Sequence, residues 1–162
     1  FFFDESDLGY TEGYQAIQKE SKKIKMTSLI FTYRNRDTDI VKNCLDSLQN
    51  QSLKALQVFL VNYGSHAAFT KSINTLANHY DFVTIINCRT EGELWCKSRA
   101  INIALKQIKT SHVFVGDVDM IFHPEFIQKL EGFKKVDTAT YFQVGFLSRQ
   151  ESGATGLLQN HP

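Results

Sequence analysis

Proline, cysteine and net charge are all scarce in this sequence. Two prolines and nine glycines in 162 residues are too few for a flexible or low-complexity chain. The three cysteines, Cys44, Cys88 and Cys96, fall at no metal-ligand spacing; an odd count with no pairing pattern fits reduced thiols and argues against a disulfide scaffold or a zinc framework. Eighteen basic and seventeen acidic residues leave a net charge of +1, so no overall field draws the chain to nucleic acid or an anionic membrane. No apolar stretch approaches the roughly 20 residues that span a bilayer, and Phe1-Phe2-Phe3 is too short for a signal or an anchor. The five histidines show no paired spacing. Neither a glycine-rich dinucleotide fingerprint nor a P-loop is present. What remains is 43% hydrophobic and 22% charged residues, the composition of one globular domain with a real core.

Residues 1–25 carry no sustained period and end in a basic run through Lys25, so they read as a lead-in segment. Residues 26–162 form the domain proper, in which strands and helices alternate. Apolar runs predict strands at Ser28–Thr32, Gln57–Val61, Phe82–Asn87 and His112–Gly116, the last buried, with a further strand at Ala139–Leu147. Helical spacing of Ile40, Val41, Cys44, Leu45 and Leu48 predicts a helix over Thr38–Asn50, with Cys44 as a small core residue. Phe69, Ile73, Leu76, Ala77 and Tyr80 predict another over Ala67–His79. Thr90 and Glu93 fit a capping box opening a helix to about Ile108, with Leu94, Ile101, Ala104, Leu105 and Ile108 as its buried face. His123-Pro124 reads as the start of a helix over Glu125–Phe133. Alternation of this kind means βαβ units: an α/β fold with a mostly parallel sheet covered by helices on both faces.

In such sheets ligands bind beyond the carboxyl ends of the strands. The polar clusters at those ends should therefore converge. They are Thr32-Tyr33-Arg34-Asn35-Arg36, Asn62-Tyr63-Gly64-Ser65, Cys88-Arg89-Thr90-Glu91-Gly92 and Asp117-Val118-Asp119. Two carboxylates one residue apart in extended backbone point to the same side, where they can hold a hard divalent cation and leave positions open for a diphosphate. Arginine supplies planar forks suited to phosphate, although a solvated turn accounts for most surface arginines. Gly64 permits a positive φ, and Ser65 is placed to cap the next helix. Trp95, Arg99, Asn102 and Lys106 fall on one helical stripe, with Lys97 and Ser98 in the first turns, where the helix dipole favours an anion.

Together these motifs resemble the donor-binding half of a GT-A-type glycosyltransferase of family 2, near the β-1,4-galactosyltransferase and chondroitin-polymerase sequences. The resemblance runs from Ser28 to about Leu147 and rests on Thr32–Arg36, Val61–Ser65, Gly92 with Trp95–Asn102, and Asp117–Phe122, in that order. It implies a three-layer α/β/α sandwich, a UDP-sugar donor, Mn²⁺ or Mg²⁺, and inverting transfer of a hexose or N-acetylhexosamine to a saccharide acceptor. Carried over by position, Thr32, Tyr33, Arg34 and Arg36 would contact base, ribose and phosphate, and Asn62 would lie near base or ribose. Lys97 and Arg99 would reach diphosphate or base; Asp119 would ligate the metal, with Asp117 on ribose or metal and Val118 between them. No nucleic-acid partner is implied. The expected location is cytoplasmic, or peripheral at a membrane within a larger protein.

The sequence departs from the family twice. An acidic pair usually follows the second strand, and this chain has Asn62-Tyr63. No carboxylate after Asp119 stands in a pattern expected of the general base that inverting transfer needs; Glu125, Glu131 and Glu151 are the candidates. The chain therefore reads as a truncated enzyme, its donor half alone. Two other readings stay open: a non-catalytic nucleotide-sugar-binding or interaction module, and a metal-dependent nucleotidyltransferase, which would need a glycine- and lysine-rich loop where Arg34-Asn35-Arg36 stands.

Overall fold

Seven consecutive buried residues, Thr27–Tyr33, form β1, the centre of the sheet. The computed structural model describes residues 26–135 and 137–145. In chain order β1 is followed by α1 (Thr38–Gln49), β2 (Leu56–Tyr63), α2 (Ala67–Ala77), β3 (Val83–Cys88), α3 (Lys97–Leu105), β4 (Val113–Asp117) and α4 (Phe126–Gly132). Strand order is β3-β2-β1-β4, and every pairing is parallel. The chain builds outward from β1 to β3, then returns to lay β4 on the other side of β1. That reversal leaves a crevice at the carboxyl ends of β1 and β4, where Thr32 pairs with Asp117 in register.

Two cores, one on each face of the sheet, make the three layers. Leu29, Phe31 and Tyr33 join Val58 and Leu60 under Val41, Leu45 and Leu48 of α1, Ile73 of α2 and Ile127 of α4. The alternate residues Ile30, Phe59, Val61 and Tyr63 pack beneath Ala100 and Ala104 of α3. Period two in the strands thus meets period 3.6 in the helices, as the apolar spacing requires. Each fully buried aliphatic side chain contributes about 1.5–3 kcal/mol.

Several expectations need correction. The capping box does not form: Glu93 N–H bonds to the main-chain oxygen of Thr90, Gly92 turns the chain at φ +84°, and α3 starts only at Lys97. Of the expected buried face Ala104 is buried, joined by Ala100, while Leu94, ahead of the helix, and Leu105, at its end, are exposed. The fourth strand is buried on one face only, since Val113 and Val115 stay exposed, on the face of β4 that bears Ile30's register partner. No strand forms over 139–145, and residues 146–147 of that expected strand lie outside the described residues, as does the lead-in 1–25. Helix α4 begins two residues beyond Pro124, although His123 Nδ1 does accept the Glu125 N–H at 3.2 Å. Among the described residues no helix is long and apolar enough to cross a membrane.

Candidate active site

The crevice at the β1–β4 switch holds a cavity of about 350 Å³ lined by Thr32, Tyr33, Arg34, Asn35, Arg36, Trp95, Lys97, Asp117, Val118 and Asp119. Eight of the ten residues singled out from sequence therefore meet in one place; Asn62 and Arg99 do not line it. A larger cleft of about 510 Å³ runs along the open edge of β4 and shares Lys97 and Asp117 with the first. The smaller cavity is the one with convergent charge.

Its floor is set by the turn after β4. The strand ends at Asp117, and Met120 N–H closes back on the Asp117 carbonyl at 3.3 Å. The two carboxylates are thus not carried by one extended strand, as the sequence reading supposed. Val118 between them is 2% exposed and sits in the α1-side core. That apolar anchor turns the backbone so that Asp117 and Asp119 both reach the cavity. Asp117 pairs with Lys97 at the first position of α3; Asp119 pairs with Arg36 at 3.4 Å. Downstream the turn is tied to α1: Ser47 Oγ accepts the Phe122 N–H at 3.1 Å, and Gln51 accepts the Ile127 N–H at 2.9 Å while donating to the His123 carbonyl at 2.8 Å. Sequence reasoning missed Ser47 and Gln51. Each is a polar residue on the buried side of an amphipathic helix or just past its end, which is the one signal that marks such an anchor.

On the β1 side, Asn35 adopts φ +49°, a left-handed conformation that asparagine tolerates better than most residues. Its N–H donates to Ser65 Oγ at 2.9 Å, and its Oδ1 accepts the His66 N–H at 2.8 Å. Ser65 therefore braces the neighbouring loop and does not cap α2, whose N-cap is His66. The hydroxyls of Thr32 and Tyr33 are buried without a hydrogen-bond partner, and burial pushes the Tyr33 phenol well above its ordinary pKa.

Asn62 is 2% exposed and fully engaged. Its Nδ2 donates to Thr70 Oγ1 at 2.9 Å and Asn87 Oδ1 at 3.0 Å, and its Oδ1 accepts the Ser65 N–H at 3.0 Å. In this structure it knits the ends of β2, β3 and α2 together. Arg99 pairs with Glu93, and that carboxylate holds its guanidinium above the ordinary pKa. Trp95 lies in the loop before α3, not on a helical stripe, and meets Tyr63 edge to face at 5.6 Å. Gly64 has φ +69°, and a Cβ there would lie 2.7 Å from the Thr90 carbonyl carbon. Gly64→Ala is expected to cost about 2–4 kcal/mol; an unchanged urea midpoint would contradict this close approach.

Two of the three candidate bases, Glu131 and Glu125, do not line the cavity. Glu131 accepts from Thr27 Oγ1 at 2.7 Å, at the amino end of β1 and so the opposite end of the sheet. Glu125 is held by Lys129, which keeps its carboxyl below the ordinary range. Glu151 is outside the described residues.

A model of the family described as glycosyl transferase family 2 matches residues 28–160. The chain belongs to that family. No curated protein shows significant sequence similarity to this family 2 chain. Among solved structures it is similar to a mannosyltransferase from Pyrobaculum calidifontis in complex with GDP-Man and Mn²⁺, with TM-score 0.51, 19% identity, and coverage of 68% of this chain and 34% of that one. It is likewise similar to S. aureus TarS 1–349 (0.56, 19%, 73% and 38%) and to the same protein with UDP-GlcNAc (0.55, 21%, 67% and 30%). These likenesses show the GT-A fold. The chain spans about a third of the length of those proteins.

Proposed function

We propose that this chain is the donor-binding half of a glycosyltransferase that takes a UDP-sugar with Mn²⁺ or Mg²⁺ and serves inverting transfer to a saccharide acceptor. One observation carries the reading: two carboxylates and the two cations that pair with them converge on one cavity at the sheet's switch point.

The donor set suits a hard cation. Among the described residues no group of three metal-ligating side chains exists, which argues against an all-protein cage. Two carboxylates without sulfur or imidazole fit an ion shared with substrate phosphates, and Asp117 and Asp119 would hold it. When bound, such an ion supplies Lewis-acid stabilisation of the departing diphosphate. Arg36 and Lys97 are the cations facing the cavity with a partner they can exchange. Their pairs with Asp119 and Asp117 are about half exposed, and exposed pairs are worth at most about 1 kcal/mol, so opening them costs little. Arg36 and Lys97 then turn to phosphate oxygens, Lys97 aided by the amino end of α3. Thr32 and Tyr33 line the same cavity, on the side where base or ribose would lie.

The test is calorimetric titration of the chain with UDP, GDP, ADP and CMP in Mn²⁺. Preference for UDP supports the reading. Equal weak binding of all four would point away from a uridine donor, and no binding would remove it.

A further inference from the structure

We infer that Arg34 is a positioning residue that latches the connection between β3 and α3 onto the ends of β1 and β2, holding Trp95 and Lys97 at the cavity. The inference rests on the donor-binding reading of that cavity and gives Arg34 a different task from Arg36.

The guanidinium of Arg34 donates to three main-chain carbonyls: Tyr63 at 2.7 Å through Nε, Glu93 at 2.8 Å and Thr90 at 2.9 Å through its two terminal nitrogens. Three of the five N–H donors an arginine owns are thus spent on backbone. Two of those carbonyls belong to a segment in neither helix nor strand, which must find partners for its polar groups outside regular structure. The same guanidinium lies 5.6 Å from the centre of the Tyr63 ring, a cation–π distance. Tyr63 returns to the loop twice: its hydroxyl donates to Glu93 Oε2 at 3.2 Å, and its ring edge meets Trp95. Gly64 lets the loop backbone approach within contact of β2's end. The bonds from Arg34 to Thr90 and Glu93 and the two contacts from Tyr63 converge on the segment that delivers Trp95 and Lys97 to the cavity wall, and the bond from Arg34 to Tyr63 ties that set to the end of β2.

Arg36 is bound differently. Its one ion pair is to a half-exposed carboxylate, which a phosphate can replace. Arg34 holds carbonyls, which carry no net charge, and losing them would undo the loop. A lysine cannot take its place, because one ammonium is a point donor and cannot span three acceptors set around a planar fork.

Hydrogen–deuterium exchange of the ligand-free chain, followed over Thr90–Lys97 and over β1 and β2, tests the latch in Arg34→Ala, Arg34→Lys and Arg36→Ala. Both Arg34 variants should exchange at least tenfold faster across Thr90–Lys97, with the strands still protected; Arg36→Ala should match wild type there. UDP titration in Mn²⁺ then separates position from contact: Arg34→Lys should lose affinity about as much as Arg34→Ala, although it keeps the charge. Wild-type exchange in Arg34→Lys, or recovery of affinity by lysine where alanine loses it, would overturn the latch. So would global loss of protection in both Arg34 variants, which would make Arg34 a support of the whole fold. If wild type binds no UDP, the donor reading fails, and the exchange comparison still decides whether Arg34 holds the loop.

Discussion

Asp119→Asn is expected to weaken Mn²⁺-supported UDP binding at least tenfold, about 1.4 kcal/mol, and to leave the ligand-free melting temperature nearly unchanged. Asparagine keeps the shape of the side chain and removes the charge that a shared divalent ion needs. The stability half of the prediction follows from exposure. Asp119 and Arg36 form a pair at 3.4 Å with side chains 44% and 48% exposed, and such pairs contribute about 0–1 kcal/mol. Losing the pair also relieves any repulsion between Asp119 and Asp117. Thermal melting of the variant without ligand, beside calorimetry with UDP and Mn²⁺, separates the two effects. A drop of many degrees in the apo protein would make Asp119 a structural residue. Unchanged UDP affinity would remove it from the metal's ligands.

Gln51→Ala should do the reverse, with a large loss of stability from a residue that touches no ligand. Gln51 is 2% exposed and bonds in three directions, to the Ser47 carbonyl at 3.0 Å, the His123 carbonyl at 2.8 Å and the Ile127 N–H at 2.9 Å. Alanine strands buried backbone groups at the end of α1 and the start of α4 and leaves a void. The expected cost is about 3 kcal/mol, which for a chain of this size lowers the melting temperature by roughly 6–12 °C. Because the same glutamine helps fix the segment that follows Asp119, UDP affinity should fall as well, though less than in Asp119→Asn. Thermal unfolding by circular dichroism measures the first effect; a shift under about 2 °C would show that the anchor is dispensable.

What the sequence disclosed and what it concealed divide along a physical line. Val41, Cys44, Leu45 and Leu48 announced α1 because burial of one helical face leaves a 3.6-residue trace that neighbours do not alter. The run Leu29–Phe31 announced a strand because burial on both faces leaves a continuous apolar run, and the parallel sheet followed from the alternation. Where a polar residue had two possible partners, the local rule lost. Thr90 and Glu93 satisfy the capping-box pattern, yet Glu93 gives its carboxylate to Tyr63 and Arg99, and Thr90 gives its carbonyl to Arg34. Arg99 is near in sequence, but Arg34, just past β1, and Tyr63 in β2 are dozens of residues away, and no local window contains them. Asn62 and Arg34 carry the right chemistry for a nucleotide and stand at the right strand ends, but tertiary bonds to Thr70, Asn87, Ser65, Tyr63, Thr90 and Glu93 occupy them. Asp117 and Asp119 were legible because they close an apolar run that reads as a buried strand, whereas the turn that seats Val118 in the core between them was not.

In the proposed donor site Asp117 and Asp119 hold a nucleoside diphosphate through a shared divalent ion. Titration of the chain with UDP, once in Mn²⁺ and once in EDTA, addresses it directly. Affinity is expected to be at least tenfold higher with Mn²⁺, and Mn²⁺ itself to bind weakly in the absence of UDP, since two carboxylates leave most of a divalent ion's coordination to be supplied by the diphosphate. UDP binding of equal strength in EDTA would contradict it.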